Sequence, residues 1–284
     1  MENIIISGAT NGIGKALVEA LIKKGDYKIG IIGRNKEKLT ALTKLPNATA
    51  NQIHIYQADL SSLAQTKKIA KEIITDFDQI DYLINNAGAY YYDKEITSEG
   101  FEKTLATNYL STYLLNKYLS PIVISTAAEK GDAQIINTGS SGHKRAINWD
   151  DFNFDKKGFE GPFVYEHSKH LMISHTFDLA KQLQNTNVRV NTIHPGFVTS
   201  GLIKGKKMPF PMNVLTKILP IFMGITPEKA KDVYLWLLFD EEAKKLNSEY
   251  VSNKKVGKVW KPIMDEQAQK RLRLETEKMI ANYI

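Results

Sequence analysis

The chain has 284 residues, enough for one large α/β domain with a substantial core. Its 43% apolar and 24% charged content is ordinary for a globular protein. With no cysteine, disulfides, thiolate catalysis and cysteine-held metals are excluded. The net charge of +7 is spread along the whole length and reads mainly as a solvated surface able to collect anionic ligands. No basic cluster is interleaved with aromatics, so nucleic acid is not expected as a partner.

Ile4-Ile5-Ile6 reads as a short buried strand that begins the core at about Asn3. That start leaves no room for a cleaved leader, and no run approaches the ~18 apolar residues that span a bilayer, so a cytoplasmic protein is expected. Glycines 8, 12 and 14 follow, then a helix from Lys15 to Ile22. Strand, glycine-rich turn and helix together aim backbone N–H groups at an anion, and the expected ligand is a dinucleotide pyrophosphate. The spacing Gly-x-x-x-Gly-x-Gly differs from the standard Gly-x-Gly-x-x-Gly.

Further strands are expected at Tyr27–Ile32, Ile53–Gln57, Ile80–Ile84, Gln134–Asn137 and Val188–His194. Helices are expected at Lys36–Leu45, from an N-cap at Ser61 to Thr75, at Ser98–Leu119 and at Phe163–Asn185. Repeated βα alternation predicts an α/β doubly wound parallel sheet (Rossmann), helices on both faces, in a single domain over 1–284. Ligands of such sheets lie across the carboxyl ends of the strands. Arg34, after the second strand, is placed to hold a 2′-phosphate, which favours NADP, although a surface arginine is the plain alternative. Asp59, beside Leu60, either accepts from an adenine amine or caps the next helix.

Tyr165 and Lys169 share one helical face. A nearby ammonium is expected to lower the tyrosine pKa toward neutrality, making a general acid/base. A serine hydroxyl at the end of the fifth strand, from Ser140 or Ser141, could hold a substrate oxygen; two adjacent serines there also suit plain turn chemistry. Scattered His143, His167 and His194 form no metal-ligand pattern, and no metal is expected. Tyr90-Tyr91-Tyr92 line a pocket or merely pack.

Ser7-Gly8-x-x-x-Gly12-Ile13-Gly14, Asn85-Asn86-Ala87-Gly88, Asn108, Ser140, Tyr165-x-x-x-Lys169 and His194-Pro195-Gly196 occur in order. On these residues the chain resembles the short-chain dehydrogenase/reductase family along nearly its whole length. The retinol-dehydrogenase-like and protochlorophyllide-reductase-like branch is the nearest in look. The 25 residues from Ser140 to Tyr165, Gly33-Arg34-Asn35 and a charged helix at Met264–Met279 suit that branch.

The resemblance implies catalysis by Tyr165, with Lys169 lowering its pKa, Ser140 orienting the carbonyl and Asn108 at a helix bend supporting a proton relay. It implies cofactor contacts from Gly8, Thr10, Asn11, Gly12, Ile13, Gly14, Arg34, Asp59, Leu60, Asn86, Ala87, Gly88, Tyr165, Lys169, Pro195, Gly196, Val198 and Ser200. Ser7 stands where the family usually has Thr, and Gly139 where it usually has Ser.

Arg145 to Pro162 reads as a surface excursion without chemistry. The Met- and Pro-rich stretch at 200–225 reads as an apolar lid, with packing, a subunit contact or shallow membrane contact as alternatives. Thr226-Pro227-Glu228 starts a helix running to about Phe239. The expectation is an NADP-dependent oxidoreductase interconverting a carbonyl and an alcohol on a hydrophobic small molecule, with a homodimer possible. A carbon–carbon double-bond reductase and a non-catalytic NADP sensor are the alternatives.

Overall fold

The computed structural model describes residues 1–49, 51–156, 158–198 and 224–284, and the backbone of 203–204. The expected lid at 200–225, and Ser200 with it, lies almost wholly outside the described residues.

Strands β1 (Glu2–Ser7), β2 (Tyr27–Gly33), β3 (Ile53–Gln57) and β4 (Tyr82–Asn85) are followed by a short β5 (Tyr90–Tyr91). Then come β6 (Ala133–Thr138), β7 (Val188–His194), β8 (Ile203–Lys204), β9 (Tyr250–Ser252) and β10 (Lys255–Val256). The main sheet runs β10-β9-β7-β6-β4-β1-β2-β3, and β5 pairs separately with β8. All neighbours are parallel except the β9–β10 hairpin. The chain winds outward from β1 in one direction to β3 and in the other through β4, which makes the β1/β4 boundary the switch point where such sheets bind ligands.

Ile4, Ile5 and Ile6 are all fully buried, as a strand covered on both faces requires. Ile4 and Ile6 pack with Leu17 and Leu21 of α1 (Gly12–Lys24) and Tyr234 and Leu237 of α7 (Pro227–Phe239). Ile5 faces Ile69 and Ile73 of α3 (Leu63–Asp76) and Leu115 and Leu119 of α5 (Ser111–Lys130). The remaining helices are α2 (Lys36–Thr43), α4 (Lys103–Leu105), α6 (Gly161–Gln182) and α8 (Glu266–Met279). Among the described residues, no helix is long and apolar enough to cross a membrane.

Several boundaries differ from expectation for local reasons. Ser62, not Ser61, caps α3, because the Ser61 hydroxyl donates to Asp59 Oδ1 at 2.9 Å. The carboxylate of Glu99 also sits on that helix end, accepting from Leu63 N at 2.7 Å and Ala64 N at 2.9 Å. The helix expected from Ser98 begins at Lys103, where the buried Glu102 side chain accepts from Thr104 N and Leu105 N. It then passes through a π turn at Ala106–Leu110 and Pro121, and ends at Gly131, whose φ of +89° suits glycine. The Arg145–Pro162 excursion is tied down: His170 Nδ1 meets Arg145 O at 2.6 Å, and Asn148 N donates to His167 at 3.1 Å. The β9–β10 hairpin escaped notice because its turn uses Asn253 and Lys254 at positive φ, with no glycine to mark it.

Helix α8, capped by Asp265, lies against α5 and α6. Thr276 meets Tyr109 Oη at 2.5 Å, Glu277 accepts from Lys117 Nζ at 2.7 Å, and Arg273 pairs with Asp178 at 3.1 Å. Leu272, 1% exposed, plugs into the Tyr109, Tyr113 and Phe177 cluster. Leu272→Ala should therefore lower the free energy of unfolding by about 3 kcal/mol. An unchanged urea midpoint would show that α8 comes off before the body unfolds.

Candidate active site

Because the central strands are parallel, Ser7, Asn85, Thr138 and His194 all end at the same edge of the sheet. The turn after β1 leaves no room for a side chain at Gly8 or Gly14. Gly8 has φ +70°, and a Cβ there would stand 2.8 Å from Ala87 Cα; one on Gly14 would stand 2.3 Å from Gly8 O. Asn86 Nδ2 donates to Ser7 O at 3.1 Å, and Ala87 N donates to the Ser7 hydroxyl at 3.0 Å, so the turns after β1 and β4 brace each other. The serine that replaces the usual threonine keeps this bond.

Gly12, with φ +52°, opens α1, and Asn11 puts no side-chain acceptor on the first N–H groups of that helix. An uncapped helix N-terminus behind a backbone-walled cradle fits the pyrophosphate of a dinucleotide. Ile13 packs partly against the core, and Thr10 packs on Gly33, where a Cβ would come within 2.7 Å of its methyl group.

At the far end of this cradle, Arg34 lies 3.4 Å from Asp59 Oδ2 and faces the hydroxyl of Tyr91. Burial alone would raise the Asp59 carboxyl, but the Ser61 backbone and hydroxyl and Arg34 outweigh it and hold the group below its usual value. Asp59 is not the cap of α3, and its carboxylate is engaged by Ser61 and Arg34. Leu60 is buried beside it. Sequence reasoning missed Lys38, whose Nζ reaches Asn11 Oδ1 at 3.1 Å and brings a second cation to the glycine turn. Its only sequence signal is its place one turn into the helix after Arg34.

On α6, Tyr165 and Lys169 do share a face, and the Ser140 hydroxyl faces Tyr165 closely enough to oppose the effect of its burial. Ser141 is exposed, so it is Ser140 that meets the tyrosine. Gly139 is explained by Thr192, whose hydroxyl would lie 2.8 Å from a Cβ at that position. Lys169 Nζ donates to Thr138 O at 2.8 Å, and burial lowers its pKa to about 8.

The expected fall of the tyrosine pKa is not found in this geometry. Burial pushes Tyr165 up, with only the Ser140 hydroxyl opposing it. The ammonium is drawn to a backbone carbonyl and stands 5.9 Å from the tyrosine ring centroid. Tyr90 lays its ring against Tyr165, edge to face, at 5.6 Å.

Asn108 sits in the π turn, as a helix bend. Its side chain accepts from Ala89 N at 2.7 Å and donates to Ala89 O at 2.9 Å and to Ser168 Oγ at 3.0 Å. Ser168 Oγ in turn donates to Tyr165 O at 2.7 Å. Beyond β7, Gly196 has φ +92° over Ile225, and Val198 bridges to Ile225, which holds the Pro195 turn at the same edge.

Beneath these groups His167 and His175 are held down to about 3, and His170 and His194 to about 4, with burial the leading cause in each. The unfolded chain takes up protons below the ordinary value of about 6.5, while the folded chain stays neutral there. Stability should therefore fall as pH drops from about 6.5 toward 4, by up to about 1 kcal/mol per histidine per unit. A urea midpoint constant across that window would contradict this assignment.

The model of the family described as short chain dehydrogenase matches residues 2–208. Bovine retinol dehydrogenase 12 is 31% identical over 260 residues, covering 90% of this chain and 78% of its own. Human retinol dehydrogenase 13 is 28% identical over 284 residues, covering 98% and 84%. A crystal structure of a protein from Mycobacterium paratuberculosis superposes with a TM-score of 0.77 at 19% identity, over 98% of this chain and 93% of that one. A Burkholderia cenocepacia short chain dehydrogenase solved with NADP gives a TM-score of 0.68 at 19% identity, over 88% and 95%. Such likenesses, on this fold, define the class as NAD(P)-dependent oxidoreductases of carbonyls and alcohols. The chain belongs to the short-chain dehydrogenase/reductase family, in its retinol-dehydrogenase-like branch.

Proposed function

We propose that this chain, acting as one dinucleotide-binding domain, is an NADP-dependent oxidoreductase that interconverts a carbonyl and an alcohol on a hydrophobic small molecule. The observation that carries the reading is Tyr165 facing Ser140, with Lys169 buried beneath them, at the carboxyl edge of the sheet beside the glycine cradle. The glycine turn and Lys169 would hold a nicotinamide cofactor, whose chemistry when bound would be hydride exchange with the carbonyl carbon. Tyr165 Oη gives its proton to the carbonyl oxygen in reduction and takes it back in oxidation. Ser140 Oγ donates to that same oxygen and holds it near the tyrosine. Lys169 offers the positive charge that stabilises the phenolate left behind, and its lowered pKa sets the pH above which that help is lost.

Arg34 beside Asp59 and Lys38 at Asn11 of the glycine turn, two cations just after β2, support NADP over NAD. The names of the relatives support a lipid-like substrate: the bovine and human proteins are called retinol dehydrogenases. The stretch Met208-Pro209-Phe210-Pro211-Met212 and Ile218 to Met223 supplies the apolar residues such a substrate needs.

Tyr165→Phe should cut kcat about 1000-fold, since the general acid is lost, while the NADPH Kd read from nicotinamide fluorescence stays unchanged. Turnover near the wild-type rate sinks the proton-transfer role. Arg34→Glu should raise the NADPH Kd at least about tenfold, or about 1.4 kcal/mol, and leave NADH little changed. Equal losses for the two nucleotides would remove the 2′-phosphate role.

A further inference from the structure

The turn that carries Ser140 is poorly held by the sheet. The β6–β7 ladder makes its last bond at Gly139, whose N–H donates to Ile193 O at 2.7 Å. From Ser140 onward the backbone needs other partners. His143, three residues further on and only 2% exposed, supplies them. Its Nδ1 lies 2.5 Å from Ser140 O, and Trp260 N lies 3.2 Å from its Nε2. A carbonyl oxygen only accepts, so Nδ1 carries the proton; a backbone N–H only donates, so Nε2 is bare. Both contacts demand the same neutral tautomer. An imidazolium would set an N–H against the N–H of Trp260.

The same carbonyl accepts a second bond, from the Tyr250 hydroxyl at 3.3 Å, and the Tyr250 ring meets the His143 ring edge to face at 5.3 Å. Tyr250 and Trp260 both lie beyond residue 208, where the family match ends. The serine turn is thus anchored by the chain's own C-terminal segment, through the His143 imidazole and directly by Tyr250. The Ser140 hydroxyl accepts from Gly142 N at 3.1 Å, within its own turn, so its direction follows the peptide that His143 holds.

We propose that His143 is a positioning residue: locked as the Nδ1–H tautomer between Ser140 O and Trp260 N, it aims the Ser140 hydroxyl at the reacting oxygen. The proposal rests on the carbonyl/alcohol reading of the site. It does not place His143 in contact with substrate or cofactor.

The test combines spectroscopy with kinetics. Long-range ¹⁵N–¹H spectra of histidine-labelled protein with NADPH bound, at neutral pH, should show His143 protonated on Nδ1 and bare on Nε2. His143→Ala should lower kcat for NADPH-driven reduction of nonanal and a panel of longer apolar aldehydes and ketones by about 100-fold, with the NADPH Kd within about twofold of wild type. His143→Asn, whose amide NH₂ takes the place of Nδ1–H, should recover kcat to within about fivefold, while His143→Gln, which reaches only toward Trp260, should not.

The opposite tautomer overturns the proposal, as does a His143→Ala enzyme with wild-type kcat, or rescue by Gln and not by Asn. Should the Ala variant fail to fold, the Asn-against-Gln comparison and the tautomer make the same decision. A wild-type protein that binds NADPH and reduces nothing in the panel overturns the proposed function, and this proposal with it. Loss confined to the expectations for His143 leaves that function standing.

Discussion

Asn137 on β6 accepts from Asn85 on β4 at 2.9 Å and donates to Thr176 on α6 at 3.0 Å. Asn85 also donates to Asn116 on α5 at 2.7 Å, and Asn116 reaches His175 on α6 at 3.1 Å. These groups are buried, so each bond lost leaves a desolvated amide behind, and the penalty is larger than the bond's own net worth. That asymmetry pins α6 to the sheet at one rotation and one height. The pairing of Tyr165 on the helix with Ser140 beyond the strand depends on it.

Above this ladder the ionisable groups of the site are pushed toward neutrality from both sides. Burial lowers Lys169 and raises Tyr165, and the histidines nearby are held neutral. A charge formed on the tyrosine therefore has few charged competitors nearby. Groups already aimed at the tyrosine oxygen gain in strength, because a low dielectric magnifies every fixed dipole. Ser140 is one such group, and its own aim is set by backbone contacts far from it in sequence.

The other end of the site is built on different physics. Arg34, Asp59 and Lys38 are at the surface or near it, and their pairings are loose: 3.4 Å for Arg34 with Asp59, 3.1 Å for Lys38 with Asn11. Exposed ion pairs of this kind add little to stability and rearrange at small cost. A cluster of that sort suits a variable anion, whereas the rigid centre suits a fixed geometry. The short strand β5 joins the two ends, since Tyr91 meets Arg34 and Tyr90 meets Tyr165.

What the sequence by itself determined is whatever depends on neighbours within a turn or two. Ile4-Ile5-Ile6, the glycines at 8, 12 and 14, Thr226-Pro227 and Tyr165-x-x-x-Lys169 carry their meaning in period and local backbone geometry, so the alternating elements and the placement of the site at the strand ends were legible. Only the tertiary structure decided the contacts made across the chain. Glu99 caps α3 from 36 residues away, His143 reaches Trp260 across 117, and Lys38 reaches Asn11 across 27. No periodic pattern marks such pairs, because each is a single polar contact whose partner is chosen by how the helices pack. The same limit explains the tyrosine. Sequence spacing puts Lys169 beside Tyr165, but burial and the Thr138 carbonyl, supplied by a different strand, decide where the ammonium points and which way each pKa moves.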